Sequence, residues 1–313
     1  ERETLTFEEA EKKIEYAKKT QFIWSNFDLS KRVHLISKAI KLLGDWNTEI
    51  VDELAWQMGR PVRYGGEYGG VKERSDYMLS IAEEGLKNVE IENSKYFKRL
   101  IKRVPHGTVF VIAPWNYPYL TAINTIVPAL ASGNCVLLKH STQTMLVGER
   151  FEKAFNEAGL PKGIFQNLFL DHRTTEKLIR NNKFNFINFT GSVEAGKKIE
   201  KAASGTFTNL GLELGGKDPG YVLEDCDIEK AAEALVDGAM FNSGQCCCGI
   251  ERIYVSSKIF DDFIEITRKI VNNYVLGNPF NEETTLGPMA NIKFADLVRK
   301  QIDEAIVLGA IPL

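Results

Sequence analysis

The chain has no uninterrupted run of 18 apolar residues, so no membrane-crossing helix is expected from it. Histidine is scarce, four in 313 residues, and no Cys-x-x-Cys pair occurs, which removes the usual zinc frameworks. Cysteine is scarce too, and of the five residues three are contiguous, Cys246-Cys247-Cys248, with Cys135 and Cys226 apart. An odd count with immediate neighbours makes a poor disulfide framework and points to a reducing, cytoplasmic compartment. Neither charge sign dominates: 39 Lys and Arg face 42 Asp and Glu, so nothing suggests nucleic acid or an anionic membrane as partner. Internal repeats and low-complexity tracts are lacking, and no leader is visible, although the sequence opens on Glu1 rather than Met.

What remains is an ordinary globular composition, 44% hydrophobic and 26% charged, on a chain long enough for one large or two medium domains. In the first hundred residues, 7–20 and 30–45 carry apolar residues at helical spacing. From about residue 107 short apolar runs alternate with amphipathic stretches. Strands are expected at Gly107–Ala113, Cys135–Lys139, Ile164–Leu170, Asn185–Phe189 and Thr206–Glu213. Between them fall a turn at Pro114–Pro118, helices through Ala131, over Thr144–Ala158 and Thr174–Arg180, and another after Gly191. Such alternation implies βαβ units, a parallel sheet covered on both faces, and ligand binding at the carboxyl ends of the strands. Further on, Ile228, Ala231, Ala232, Leu235, Val236, Ala239 and Met240 form one helix face leading into Asn242-Ser243-Gly244-Gln245 and the cysteines. Gly249–Val255 reads as a strand, and Phe260, Phe263, Ile264, Thr267, Ile270, Val271 and Tyr274 as a core-facing stripe.

Several residues in this frame suit chemistry, each with a plainer alternative. The cysteine triplet lies in a Gly-containing link between helix and strand, where a thiol can reach a cleft as nucleophile. Its alternatives are a small buried hydrophobe or a metal ligand, and adjacent cysteines are not expected to point easily at one ion. Glu213, between two leucines and before a glycine pair, is expected to be partly buried and suited to general-base work; otherwise it is a strand-end ion pair with Lys217. Asn116, in Pro114-Trp115-Asn116-Tyr117-Pro118, offers an amide held still enough to stabilise an oxyanion, or is only a favoured turn residue. Ser192 can cap a helix whose free amides suit a pyrophosphate. Lys139 either holds a ribose or phosphate or is solvated.

Taken in order, Pro-Trp-Asn-Tyr-Pro, Leu-Lys-His-Ser, Phe-Thr-Gly-Ser, Leu-Glu-Leu-Gly-Gly-Lys and Asn-Ser-Gly-Gln-Cys-Cys-Cys resemble the ordered signature of the aldehyde dehydrogenase superfamily, and the 34 positions from Glu213 to Cys247 look like its glutamate-to-cysteine interval. The resemblance covers essentially the whole chain. It implies an α/β architecture, a Rossmann-like cofactor domain over 1–214 followed by part of a second α/β catalytic domain over 215–313. It implies NAD- or NADP-dependent oxidation of an aldehyde through a cysteine thiohemiacetal and thioester. On that resemblance Cys247 is the nucleophile, Asn116 the oxyanion donor with the backbone N–H of Cys247, and Glu213 the base that activates water. Ile112, Ala113, Pro114, Trp115, Lys139, Ser141, Gly191, Ser192, Leu214 and Gly215 border the cofactor. No metal is expected, the partners are a small-molecule aldehyde and further copies in a dimer or tetramer, and a membrane or nucleic acid is not among them.

Three departures matter. Thr142 stands three residues after Lys139, where many NAD-preferring relatives carry a glutamate that would repel a 2′-phosphate, which leaves NADP open. Leu168–Leu178 lacks the glycine-rich turn of many members. The sequence ends at Leu313, before the family's Glu-[IL]-Phe-Gly-Pro segment, so a truncated or silent relative that binds nucleotide or a partner protein is the alternative. A CoA-acylating relative would use the same cysteine but normally lacks the glutamate, which the presence of Glu213 disfavours.

Overall fold

A computed structural model describes residues 2–313, which divide into two compact units. The first comprises the residues up to Asn47 together with Glu67–Leu214, and the second comprises Thr48–Gly66 together with Gly215–Leu313. The sequence pattern places all of 1–214 in one domain; Thr48–Gly66 clusters instead with the second unit. Among the described residues no helix is long and apolar enough to cross a membrane.

In chain order the elements are α1 (Phe7–Ser25), α2 (Leu29–Asp45), α3 (Asn47–Met58), α4 (Tyr68–Ser80), α5 (Ala82–Leu86), and the strands β1 (Val89–Glu90) and β2 (Leu100–Ile101). Next come β3 (Thr108–Ala113), α6 (Pro118–Ala131), β4 (Cys135–His140), α7 (Leu146–Ala158), β5 (Phe165–Asn167), α8 (His172–Arg180), β6 (Phe186–Gly191), α9 (Val193–Ala203) and β7 (Asn209–Leu214). The last are β8 (Asp218–Val222), α10 (Ile228–Met240), β9 (Ile250–Val255), α11 (Phe260–Asn272) and α12 (Ile292–Val307).

In the first unit a parallel sheet runs in the order β5-β4-β3-β6-β7. Every residue of β3 (TVFVIA) and β4 (CVLLKH) is buried, which is why both read as continuous apolar runs rather than alternating ones. The chain winds from β3 outward through β4 to β5, then returns to the other side of β3 for β6 and β7. That reversal makes the β3–β6 border a topological switch point, where open parallel sheets leave a ligand crevice beyond their carboxyl ends.

Helix α1 starts at a capping box, with Thr6 accepting from the Glu9 N–H and the Glu9 carboxylate accepting from the Thr6 N–H. It buries Ala10, Ile14, Ala17 and Trp24. The Trp24 indole N–H donates to the Leu130 carbonyl at 2.9 Å, and the Arg32 guanidinium, from α2, donates to the Ala131 carbonyl at 2.9 Å. The last carbonyls of α6 thereby gain side-chain donors. At its start, the buried Glu67 carboxylate accepts from the Leu120 N–H at 2.6 Å, a favourable charge for a helix N-terminus. Helix α6 is therefore pinned at both ends.

The second unit holds a two-stranded parallel sheet, β8 with β9, joined through α10. Val222, Ala232 and Phe263 form its buried cluster, with Ile228, Ala231, Leu235, Ile266 and Ile270 packed around them. Phe260, expected in the core, is 47% exposed. The segment after α3 belongs here by direct contact: the Val62 N–H donates to the Pro279 carbonyl at 2.8 Å, and the Trp56 ring lies 5.0 Å from Phe280.

Two strands are shorter than expected. Of Ile164–Leu170 only Phe165–Asn167 is strand, although at its ends the Ile164 carbonyl still accepts from the Val136 N–H and the Leu168 N–H still donates to the Leu138 carbonyl; Leu168 and Leu170 are buried, and between them the Phe169 carbonyl accepts from the Leu5 N–H. Of Thr206–Glu213, Thr206 instead closes α9 by donating to the Ala203 carbonyl, and Phe207 takes a positive φ of 58° before β7 begins.

Candidate active site

The register of the first unit sets four expected site segments along one sheet edge. Ala113 faces His140, Ile112 faces both Lys139 and Phe189, Thr190 faces Glu213, and Gly191 faces Leu214. The turn bearing Asn116, the Lys139–Ser141 corner, the Ser192 helix start and Glu213 thus stand together at the strands' carboxyl ends. Cys247 belongs to the second unit.

The Asn116 turn is fixed by the helix that succeeds it. Pro118 opens α6, the Tyr117 carbonyl accepts from the Thr121 N–H and hydroxyl, and Asn116 itself is half-buried. The buried His140 braces the turn: its Nε2–H donates to the Pro118 carbonyl at 3.2 Å, which leaves Nδ1 to accept from the Thr144 hydroxyl at 3.2 Å. One neutral tautomer satisfies both bonds. Burial, only partly offset by these backbone contacts, pushes its pKa down to about 4.

Lys139 is 5% exposed, which removes the solvated alternative. Desolvation lowers its pKa, opposed by the nearby Asp171 carboxylate. Asp171 caps α8 by accepting from the Thr174 N–H at 2.6 Å. Ser141 is half-buried and accepts from the Gln143 N–H, while Thr142 is exposed. Ile112 and Ala113 are buried in the sheet, whereas Pro114 and Trp115 are half-buried at the turn.

Ser192 is the N-cap of α9, its hydroxyl accepting from the Ala195 N–H at 3.3 Å. The positive end of α9 therefore lies at the sheet's carboxyl edge, beside the switch point. A Cβ on Gly191 would come within 2.7 Å of the Phe189 ring, and one on Gly196 within 2.4 Å of Leu214. Gly196 lets α9 sit close on β7, and the donors at its start suit the pyrophosphate of a dinucleotide.

Glu213 differs from expectation. It is exposed on β7, the last strand of the sheet, so the partial burial inferred from its flanking leucines is not present. Lys217, the alternative partner named for it, is paired with Glu251. Leu214 is half-buried, and Gly215, at a φ of 59°, is exposed.

The cysteines come after an unusual stretch of backbone. Beyond α10, Asn242, Ser243 and Gly244 take successive positive φ values of 53°, 58° and 71°. Such a run is held only by compensating bonds, since each non-glycine residue there costs on the order of 1 kcal/mol. The Asn242 amide donates to the Gln245 carbonyl at 3.2 Å, and the Gln245 amide returns a bond to the Asn242 carbonyl at 2.9 Å. The Ser243 hydroxyl donates to the Gly287 carbonyl at 2.8 Å, and Gln245 accepts from the Ala290 N–H at 2.9 Å. The buried Arg60 reaches Asn242 Oδ1 at 3.4 Å. A turn then closes as the Gly249 N–H donates to the Cys246 carbonyl.

This anchored loop presents Cys246 half-buried and Cys247 and Cys248 exposed, all as free thiols. It overturns one expectation: the turn carries all three sulfurs to one side, within 4.8 Å of one another, so neighbouring cysteines here do converge. Cys246 Sγ lies 3.3 Å from Cys248 Sγ, and that bond, with burial, pushes the Cys248 thiol up to about 11. Burial pushes Cys135 up to about 12, which makes it an inert core thiol. Gly216 flanks the loop so closely that a Cβ there would lie 1.6 Å from the Cys247 carbonyl oxygen.

Sequence reasoning misses Glu67, Arg60, His140 and Thr144 as supports of these segments. The run Asn-Ser-Gly carries a usable signal, since asparagine and glycine in particular tolerate positive φ. The acidic and basic supports carry none, because their partners lie far along the chain.

A family model described as the aldehyde dehydrogenase family matches residues 2–313. D-glyceraldehyde dehydrogenase (NADP(+)) from Picrophilus torridus is 32% identical over 286 residues, covering 90% of this chain and 57% of its own length. Lactaldehyde dehydrogenase from Methanocaldococcus jannaschii is 32% identical over 315 residues, covering 97% of this chain and 66% of its own. The solved NAD-dependent aldehyde dehydrogenase from Sinorhizobium meliloti superposes with a TM-score of 0.93 at 29% identity, over 98% of this chain and 62% of that one. The chain thus spans about three fifths of the length of the curated relatives it matches.

Proposed function

The chain belongs to the aldehyde dehydrogenase family, and on that footing we propose that it carries out NAD- or NADP-dependent oxidation of a small aldehyde to its carboxylic acid, with Cys247 as nucleophile. The observation that carries this reading is the register that sets Asn116, Lys139, Ser192 and Glu213 along one edge of the sheet at its switch point.

The roles follow from the chemistry of each group. The Cys247 thiolate attacks the carbonyl carbon, forming a carbon–sulfur bond and moving an electron pair onto the oxygen. The Asn116 amide and the Cys247 backbone N–H donate to that oxyanion. Loss of hydride from carbon restores the carbonyl and leaves a thioester on sulfur. A bound nicotinamide cofactor supplies the hydride acceptor. Glu213, exposed and so open to water, takes a proton as water attacks the thioester; the carbon–sulfur bond breaks, the carboxylic acid leaves and the Cys247 thiolate is regenerated.

For the cofactor, the α9 N-terminus and Ser192 take the pyrophosphate and Lys139 the adenosine ribose. Ile112, Ala113 and Trp115 would line the cofactor cleft, Leu214 and Gly215 would lie close to the nicotinamide, and Thr142 leaves room for a 2′-phosphate. The same reading includes a homo-oligomer in the cytoplasm. The test is an aldehyde panel, with glyceraldehyde and lactaldehyde first because of the relatives' activities, assayed with both cofactors on the protein expressed from its gene. Aldehyde-dependent formation of reduced cofactor is expected with at least one substrate, and a rate no higher than that of Cys247→Ser would overturn the proposal.

A further inference from the structure

The three thiols of the Cys246–Cys248 turn are arranged as a set of metal donors, which nucleophilic chemistry with one sulfur does not require. Their Sγ atoms lie within 4.8 Å of one another, and one pair is at 3.3 Å. With metal–sulfur bonds of about 2.3 Å, tetrahedral or trigonal coordination places sulfurs roughly 3.8–4.0 Å apart. The 3.3 Å pair lies just below that value and the other spacings do not exceed 4.8 Å, so the three sulfurs stand within the span that one ion requires. The backbone is already held by the Asn242–Gln245 bonds, by Ser243 on Gly287 and by the turn between Cys246 and Gly249, so little ordering entropy remains to be lost.

We propose that Cys246, Cys247 and Cys248 form a three-thiolate site for a soft, thiophilic cation of the zinc and cadmium class. A donor set of sulfur alone selects such ions over magnesium and calcium, which take oxygen. Binding is a proton exchange without redox change: each thiol that ligates loses its proton to solvent, and a divalent ion with three thiolates carries one net negative charge. An open fourth position is left for water. The site itself does not depend on the proposed activity; one consequence rests on that reading, since a Cys247 sulfur bound to the ion is unavailable to attack an aldehyde.

The experiment titrates the full chain with cadmium and follows the thiolate-to-cadmium charge-transfer absorption in the ultraviolet, with proton release and circular dichroism in parallel. One ion per chain is expected. Cys246→Ser and Cys248→Ser should each weaken binding at least tenfold, while Cys226→Ser, in the same unit but outside the turn, changes it less than twofold. Magnesium in excess should not compete. Absorption unchanged in the double variant Cys246→Ser/Cys248→Ser, with the fold intact by circular dichroism, would overturn the site. If either serine variant loses its fold, protection of the three thiols from alkylation in the unaltered chain decides instead: all three protected supports the site, and protection of only one or none overturns it. Aldehyde turnover measured separately keeps the two readings apart, since an inactive chain that binds cadmium through three sulfurs removes only the catalytic proposal.

Discussion

Replacing Gly216 with alanine tests the geometry of the cysteine loop without touching any reacting group. The new Cβ would lie 1.6 Å from the Cys247 carbonyl oxygen and 2.8 Å from its carbonyl carbon, whereas contacts below 3.0 Å are essentially not tolerated. The obstacle is backbone, so no side-chain rotation relieves it, and the oxygen must retreat by at least about 1.4 Å. Overpacking of this kind costs about 1–3 kcal/mol where the structure resists. Where it yields, the displaced segment is the one that carries the nucleophile and its backbone oxyanion donor, and a misplacement of about 1 Å costs on the order of 100-fold in rate. The assays are the rate of Cys247 alkylation by iodoacetamide, read by peptide mass spectrometry, and aldehyde-dependent cofactor reduction. Gly216→Ala is expected to lower kcat about 100-fold and leave the affinity for the adenosine diphosphate moiety within about twofold, because the pyrophosphate and ribose donors belong to the first unit's sheet. Gly69→Ala, where a Cβ meets nothing within 4 Å, is the control. Turnover of Gly216→Ala within threefold of the unaltered protein would mean that this close approach does not set the position of the nucleophile.

Three further outcomes are expected. His140 holds its proton only near pH 4 when folded but near 6.5 when unfolded, so between those values the unfolded chain binds more protons; stability should fall as pH drops through that window, by roughly 3 kcal/mol, and His140→Gln should flatten the slope in urea melts. Lys139→Met should weaken nucleotide binding at least about tenfold by calorimetry while leaving the melting temperature unchanged or raised, because it removes a desolvated charge; a large loss of stability would instead make Lys139 a structural cation. Glu213→Gln should retain a stoichiometric burst of reduced cofactor while slowing steady turnover about 100-fold or more, and loss of the burst would move its role to thiol activation.

What can be read from the sequence divides along physical lines. β3 and β4 are legible because strands buried on both faces are continuous apolar runs bounded by glycine and proline. The same logic overextends β5, since Leu170 stays buried after the chain has left the sheet, and burial is not pairing. The exposure of Glu213 escapes local pattern for a related reason. Flanking leucines signal burial inside a sheet, but β7 is its last strand, and position in the sheet order is not written in local sequence. Thr48–Gly66 cannot be assigned to its unit from pattern, because contacts such as Val62 with Pro279 bind segments more than two hundred residues apart. At the cysteines the motif locates the loop, whereas the convergence of three sulfurs depends on a run of positive φ and a turn that spacing does not encode.

In the proposed mechanism every step passes through one bond, between the Cys247 sulfur and the substrate carbon. That bond can be observed by peptide mass spectrometry of the protein from its gene, quenched by acid during turnover of a good aldehyde with oxidised cofactor, in the Glu213→Gln background to accumulate the thioester. A mass gain on Cys247 equal to the aldehyde less two hydrogens, absent without cofactor and removed by hydroxylamine, is predicted. Turnover with that gain on Cys246, on Cys248 or on no cysteine would contradict it.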